Sequence, residues 1–293
     1  LPDRASTFRN APSVYVFGGF GCHSPAEAER LDVQAGTWQP LPRMPQPRCA
    51  AAAVCLGNTL CVVGGFHGRD FLSSASAYDP QEGRWEMLPD MNERRGYVAA
   101  AAQDGFIYAV CGFDGETRLS SVERYNMDAS MWTACPSVAR RRQCVAVASL
   151  DGCLYVVGGD DGTGSCNSFE RFDPLEGQWE MMPSMSSRRS GAVAVAVRSR
   201  LLVIGGSDGQ PLSSVEEFDP GSGSWSQIPP MRVRRDALGA ALIGDSVYVF
   251  GGHDGALRQR SMERLNPLTL QWEDVEPAPL QARNFAAVAA GPS

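Results

Sequence analysis

Apolar positions in this chain come in runs of four to seven residues closed by glycine, proline or an Asp-Gly pair, which is the length and punctuation of strands. Four kinds of run follow one another. A small-residue run, such as Ala50-Ala51-Ala52-Ala53-Val54 or the stretch from Gly191 to Val197, predicts a strand crowded on both faces, because small side chains let neighbours approach closely. A second run, Val14-Tyr15-Val16-Phe17 or Leu154-Tyr155-Val156-Val157, ends in a double glycine. Asp-Gly turns follow at Asp114, Asp161, Asp208 and Asp254, where glycine supplies the positive φ such turns require. A third run carries an aromatic and a turn proline, as in Tyr78-Asp79-Pro80 and Phe172-Asp173-Pro174, and a fourth opens at a tryptophan. Proline stands four residues after that tryptophan at Pro42, Pro89, Pro136, Pro183 and Pro229. Proline inside a strand belongs on an edge, so the fourth strand is expected outermost in a four-stranded antiparallel sheet.

The unit repeats through the chain. Tryptophan occurs at 38, 85, 132, 179, 225 and 272, so every one of the six lies on a period of 46 or 47 residues. The glycine pairs keep the same period at Gly18, Gly64, Gly158, Gly205 and Gly251, with Cys111-Gly112 in the third place. Six units nearly fill 293 residues. The chain begins with a second strand, Ser13 to Phe17, and finishes with an unpaired first strand, Arg283 to Ala290, so the last segment is expected to complete the first unit and remove the free edges.

The double glycine, the aromatic near the end of the third strand and the tryptophan some 20 residues after the glycines, taken six times, resemble the kelch repeat. The resemblance implies an all-β fold, a six-bladed kelch β-propeller with four antiparallel strands per blade, the first blade closed by the C-terminal strand. Residues 13–293 form the propeller on this reading and 1–12 a linker from an upstream region. Cys111 in place of a glycine, and Leu31-Asp32-Val33 in the first unit, are the departures.

Composition narrows the chemistry. The 31 glycines and 20 prolines suit a turn-rich chain, and no apolar run approaches the roughly 20 residues that span a bilayer. All 26 basic residues are arginine, set against 33 acidic ones, and a net charge of -7 disfavours nucleic acid. The nine cysteines fit neither a zinc nor a thioredoxin spacing; most lie in apolar runs and read as small buried hydrophobes, and reduced thiols suggest the cytoplasm or the nucleus. No metal or cofactor is expected: His23, His67 and His253 lie in separate post-glycine loops without ligand spacing.

Arginine recurs sixteen residues before each glycine pair, at Arg48, Arg95, Arg142, Arg189 and Arg235, with Arg283 in the closing strand. Each begins an innermost strand, so symmetry predicts a ring around one mouth of the central channel. Arg94, Arg141, Arg188 and Arg234 adjoin four of them, and Arg140 makes a triple. A guanidinium fork binds carboxylates, which suits an acidic peptide. The post-glycine loops open on the same face and carry Ser74, Ser121, Ser168, Ser214 and Ser261 in one repeat position, with Phe20, Phe66 and Phe113 directly after the glycines. Arg69 with Asp70, Arg118, Thr163 to Cys166, and Arg258 with Arg260 are odd-blade features of those loops. A competing reading pairs the arginine ring with Glu29, Glu123, Glu170, Glu216 and Glu263, also in one repeat position, as a structural ion-pair network.

The resemblance implies a non-catalytic protein-interaction domain that binds a substrate protein or a short acidic or turn-forming segment on the arginine-lined mouth. Kelch propellers of this type serve as substrate receptors of cullin ubiquitin ligases through an upstream BTB domain, which would also supply any homodimer, and first-strand arginines and post-glycine serines are among their contacts. A cytoskeletal, actin-binding or scaffold kelch protein is the alternative reading. A propeller enzyme is a further one, although no nucleophile elbow, phosphate loop or repeated carboxylate pair stands out.

Overall fold

The computed structural model describes residues 12–20, 25–266, 268–276, 283 and 287–290. It consists of six four-stranded antiparallel sheets arranged as blades. Blade 2 is Ala52–Leu56, Thr59–Val63, Ala75–Asp79 and Arg84–Leu88, and blade 3 is Ala99–Gln103, Phe106–Val110, Val122–Asn126 and Met131–Cys135. Blade 4 is Ala146–Leu150, Cys153–Val157, Phe169–Asp173 and Gln178–Met182. Blade 5 runs Val193–Val197, Arg200–Ile204, Val215–Asp219 and Ser224–Ile228, and blade 6 runs Gly239–Ile243, Ser246–Phe250, Met262–Asn266 and Gln271–Val275. Blade 1 takes Ser13–Phe17, Ala28–Asp32 and Thr37–Pro40 from the start of the chain and Ala287–Ala290 from its end, with Val14 opposite Ala290 and Phe17 opposite Ala287. This is the closed kelch-type propeller the repeat implies. The expected 1–12 linker lies outside the described residues except for Pro12.

The six innermost strands pack side by side into a ring, the strand Ala287–Ala290 standing between those of blades 6 and 2. Near the axis there is room only for small side chains. A Cβ on Gly239 would overlap Val288 of the neighbouring blade. Further out the blades diverge and larger residues fill the wedge. Six apolar clusters result, one between each pair of consecutive blades, such as Val63, Ile107, Tyr125 and Trp132 between blades 2 and 3. Because each sheet is buried on both faces against neighbours, its second strand is apolar at consecutive positions after the first residue rather than alternating.

Two local readings change. The inner strands start two residues later than the small-residue runs suggest, at Ala52 and Val193. The prolines after each tryptophan lie just past the fourth strand, and their carbonyls accept the indole N–H of the next blade: Trp85 on Pro42, Trp132 on Pro89, Trp179 on Pro136, Trp225 on Pro183 and Trp272 on Pro229, at 2.7–2.9 Å. Tryptophan and proline therefore share the period because they join successive blades.

The glycine pairs do the same near the axis. The N–H of the second glycine donates to the carbonyl of the next blade's arginine, for example Gly65 to Arg95 at 2.7 Å and Gly252 to Arg283 at 2.8 Å. The first glycine sits at φ near 60°, and a Cβ there would overlap that carbonyl. Cys111 holds this position at φ 58°.

Candidate functional site

Strand direction puts the loops that lead into each inner strand and the loops after the glycine pairs on one face. The recurring arginines begin this face's inner rim, yet they do not open onto it. All six are 0–4% exposed. Arg235 shows the arrangement: its Nη1 donates to the carbonyls of Gly251 (2.6 Å) and Ser261 (2.9 Å), its Nη2 to Ser261 Oγ (2.7 Å), and Nε and Nη2 to Glu263 Oε1 (3.2 and 3.0 Å). The other oxygen of Glu263 accepts the amide of Arg232 in the crossover from blade 5, at 2.7 Å. Arginine thus ties the second and third strands of its own blade, and glutamate ties the incoming chain.

The clip recurs as Arg95 with Ser121 and Glu123, Arg142 with Ser168 and Glu170, Arg189 with Ser214 and Glu216, and Arg283 with Glu29. Burial pushes the guanidinium of Arg189 and that of Arg235 down, with the paired carboxylate opposing the shift. Burial alone would raise Glu216, but bonds from Ser186 and Arg189 overcome it and hold its carboxyl below the ordinary range.

Blade 2 breaks the pattern. Ser76 stands where the other blades have glutamate, and Arg48 makes do with the carbonyls of Gly64 and Ser74, Ser74 Oγ and Gln46 Oε1. Its Nε is buried without a partner, and burial pushes this arginine down to about 10. Pro45 occupies the position whose N–H the glutamate would accept in blade 3, where Asn92 donates to Glu123. The missing acceptor is matched by a missing donor.

These contacts correct the expectation that Arg48, Arg95, Arg142, Arg189, Arg235 and Arg283 offer free forks to a partner. The forks are spent on internal carbonyls and carboxylates, and the oxygens of Ser74, Ser121, Ser168, Ser214 and Ser261 receive them. The ion-pair network is the arrangement found.

The open surface is made by other residues. Just inside the clips a collar of backbone hydrogen bonds runs around the channel from blade 2 to blade 6: Tyr97 N–H to Ala50 carbonyl, Cys144 to Tyr97, Gly191 to Cys144 and Ala237 to Gly191, at 2.8–3.0 Å. Each of these residues has φ of 49–66°, a left-handed turn that aims its amide around the ring. The channel below is about 240 Å³ and lined mostly by Ala, Val and Gly, with Tyr97, Cys144 and Leu238.

Around the collar the face divides in two. Over blades 1 to 3 lie half-buried aromatics: Phe20 against Phe66 (ring centroids 5.5 Å apart), Phe66 against Phe71 (5.2 Å) and Tyr97 (5.3 Å), and Phe71 against Phe113 (5.3 Å). Over blades 4 to 6 the equivalent positions are polar: Gln143 beside Asp160, Ser190 beside Ser207, and Asp236 beside His253. Arg118 reaches from blade 3 to Asp160 at 2.7 Å. Arg94, Arg141, Arg188 and Arg234 are exposed on the rim, interleaved with acidic loop residues such as Asp90, Asp208 and Asp254, and Arg69 is exposed at the tip of the hairpin Phe66–His67 and Asp70–Phe71.

Of the residues singled out from the sequence, Phe20, Phe66, Phe113 and Arg118 lie half-buried on this face, beside Phe71, Tyr97, Gln143, Ser190 and Asp236, which the sequence reading did not single out. The available signal was variation. The residue after each recurring arginine differs from blade to blade (Cys49, Gly96, Gln143, Ser190, Asp236), whereas structural positions repeat. Among the described residues no group of three metal-binding side chains converges. His67 is exposed, His253 Nδ1 accepts the amide of Gly255 at 3.0 Å, and His23 lies outside the described residues. Described cysteines are free thiols, and burial pushes Cys61, Cys111 and Cys144 up to about 12, which makes them inert.

Comparison with known proteins agrees with this architecture. The family model described as the KLHDC2/KLHL20/DRC7 Kelch-repeats domain matches residues 145–292, and the Kelch motif matches 47–92 and 94–138. Among solved structures, one described as "Structure of YjhT" is similar with a TM-score of 0.78 and 15% identity, covering 90% of this chain and 95% of that one, a likeness of fold alone. No curated protein matches.

Proposed function

Because this chain belongs to the kelch-repeat family, whose propellers generally bind protein partners, we propose that it is a non-catalytic interaction module that receives a turn-forming protein segment on the face bearing the aromatic and polar halves. The observation that supports this most is the packed aromatic group Phe20, Phe66, Phe71, Tyr97 and Phe113, left half-exposed on that face and in mutual ring contact around the channel mouth. Aromatic side chains beside a polar rim are the composition of interface centres. The acidic segment expected from the arginine ring loses its main support, since all six arginines are buried and five of them are paired with carboxylates within the clips.

The finer reading is a substrate receptor that presents its partner to a cullin ubiquitin ligase through an upstream BTB domain, working in the cytoplasm or nucleus. It rests on the family resemblance. Co-precipitation of the full-length protein with a cullin tests it, and actin recovered in place of a cullin would overturn it. For the interaction face, the test is hydrogen-exchange mapping of a bound partner. Protection is expected at residues 66–71, 97 and 113–118; protection confined to the strand turns on the opposite face would refute the assignment.

A further inference from the structure

Asp236 is the one acidic residue among the described residues that directly follow the recurring arginines; the others are Cys49, Gly96, Gln143 and Ser190. It is half-buried on the channel rim, and no arginine forms an ion pair with it among the described residues. Its neighbour Arg235 is committed to Glu263. The site is shaped for the carboxylate: a Cβ at residue 191 would overlap Asp236 Oδ1, and 191 is the one collar position in blades 2 to 6 that is glycine, where the others are Ala50, Tyr97, Cys144 and Ala237. Burial raises this carboxyl to about 6, opposed by the Ala237 amide and by His253. A partly desolvated carboxylate faced by His253 but paired with no arginine is unfavourable for the isolated fold, and a carboxylate in such a placement is a candidate for a functional contact.

Three blades away, directly across the channel, stand Tyr97 and Phe113, backed by Phe66 and Phe71. We propose that the segment received on this face carries a basic residue, lysine or arginine, whose cation pairs with Asp236, next to an aliphatic or aromatic residue seated on the Phe66–Tyr97–Phe113 group. The inference rests on the interaction-module reading and names the chemistry of that partner. A cation at the rim supplies the counter-charge that the fold withholds from Asp236, and the aromatic faces accept either the apolar residue or the methylene stem of the basic one.

The test is selection of a random heptapeptide phage library on the 293-residue chain, followed by titration of the enriched peptides in labelled form. Enriched sequences should carry Lys or Arg together with an apolar residue. Asp236→Asn should weaken them at least tenfold, and Phe66→Ala should weaken them similarly. Asp236→Asn is expected to melt no lower than the parent, so lost binding will not reflect lost folding. Acidic peptides that are weakened by Phe66→Ala but indifferent to Asp236→Asn would overturn this inference and leave the module reading standing. No enrichment, or binders indifferent to both variants, would count against the module reading and with it the inference.

Discussion

Replacing Arg235 by methionine should destabilise the propeller severely, and the reason can be separated from general loss of packing. The side chain is fully buried, and its removal strands the carboxylate of Glu263, which is 0% exposed, along with the carbonyls of Gly251 and Ser261. Breaking a buried pair from one side costs about 3–5 kcal/mol. With an unfolding entropy of about 2.1 cal/mol/K per residue over 293 residues, that lowers Tm by roughly 5–8 °C. Arg48 is the internal control. It makes the same bonds to carbonyls, but Ser76 replaces the carboxylate, so Arg48→Met strands no charge and should cost about 2 kcal/mol less than Arg235→Met. Adding Glu263→Gln to Arg235→Met should recover part of the loss, since the amide still accepts from Arg232 without needing a counter-charge. Urea titration followed by tryptophan fluorescence, with calorimetry for Tm, compares all three variants with the parent. Equal losses for Arg48→Met and Arg235→Met, or a double variant no better than the single, would refute the view that the stranded carboxylate dominates.

The remaining expectations concern other parts of the frame. Asp236 has a folded-state pKa of about 6, above its ordinary 3.8, so the folded protein holds the extra proton and loses stability as pH rises between those values; the facing titratable groups are His253 and Cys144. Asp236→Asn should therefore raise Tm above pH 7 and have little effect near pH 4, and a gain that is flat with pH would contradict the assignment. Gly251→Ala should cost at least about 3 kcal/mol because its Cβ meets the Arg283 carbonyl as well as a φ of 58°, while Gly57→Ala, at the same φ with open space around it, should cost about 1 kcal/mol in the same urea titration. Deleting residues 280–293 removes the strand that pairs with Ser13–Phe17 and should abolish the single cooperative transition seen by calorimetry. Trp132→Phe should cost about 1–2 kcal/mol through the lost bond to Pro89, read as a shift of the urea midpoint.

Much of the architecture was legible in one dimension because it repeats. The spacing of Trp38, Trp85, Trp132, Trp179, Trp225 and Trp272 and of the glycine pairs was enough to count the blades, assign four strands to each and see that Arg283 to Ala290 had to close the ring. Repetition also named the structural glutamates beside the arginines, without deciding whether the two would meet. Where the structure departs from the open-mouth reading is in the burial of the most regular polar residues, which favours the competing ion-pair reading. The arginines recur because every blade needs the same clip, and their burial depends on three segments about 16, 26 and 28 residues away that converge only in the sheet.

What the sequence determined by itself was the period, the strand order and the closure, since each follows from local turn chemistry and strand length repeated six times. Tertiary structure alone decided which side chains face solvent. The arginine ring disappeared into the wall because its guanidinium groups find carbonyls and carboxylates from neighbouring strands, and the face proposed here for a partner is made by residues with no shared pattern, Phe71, Tyr97, Gln143, Ser190 and Asp236. Their common property is position around one channel, a relation between blades that the order of residues along the chain does not express.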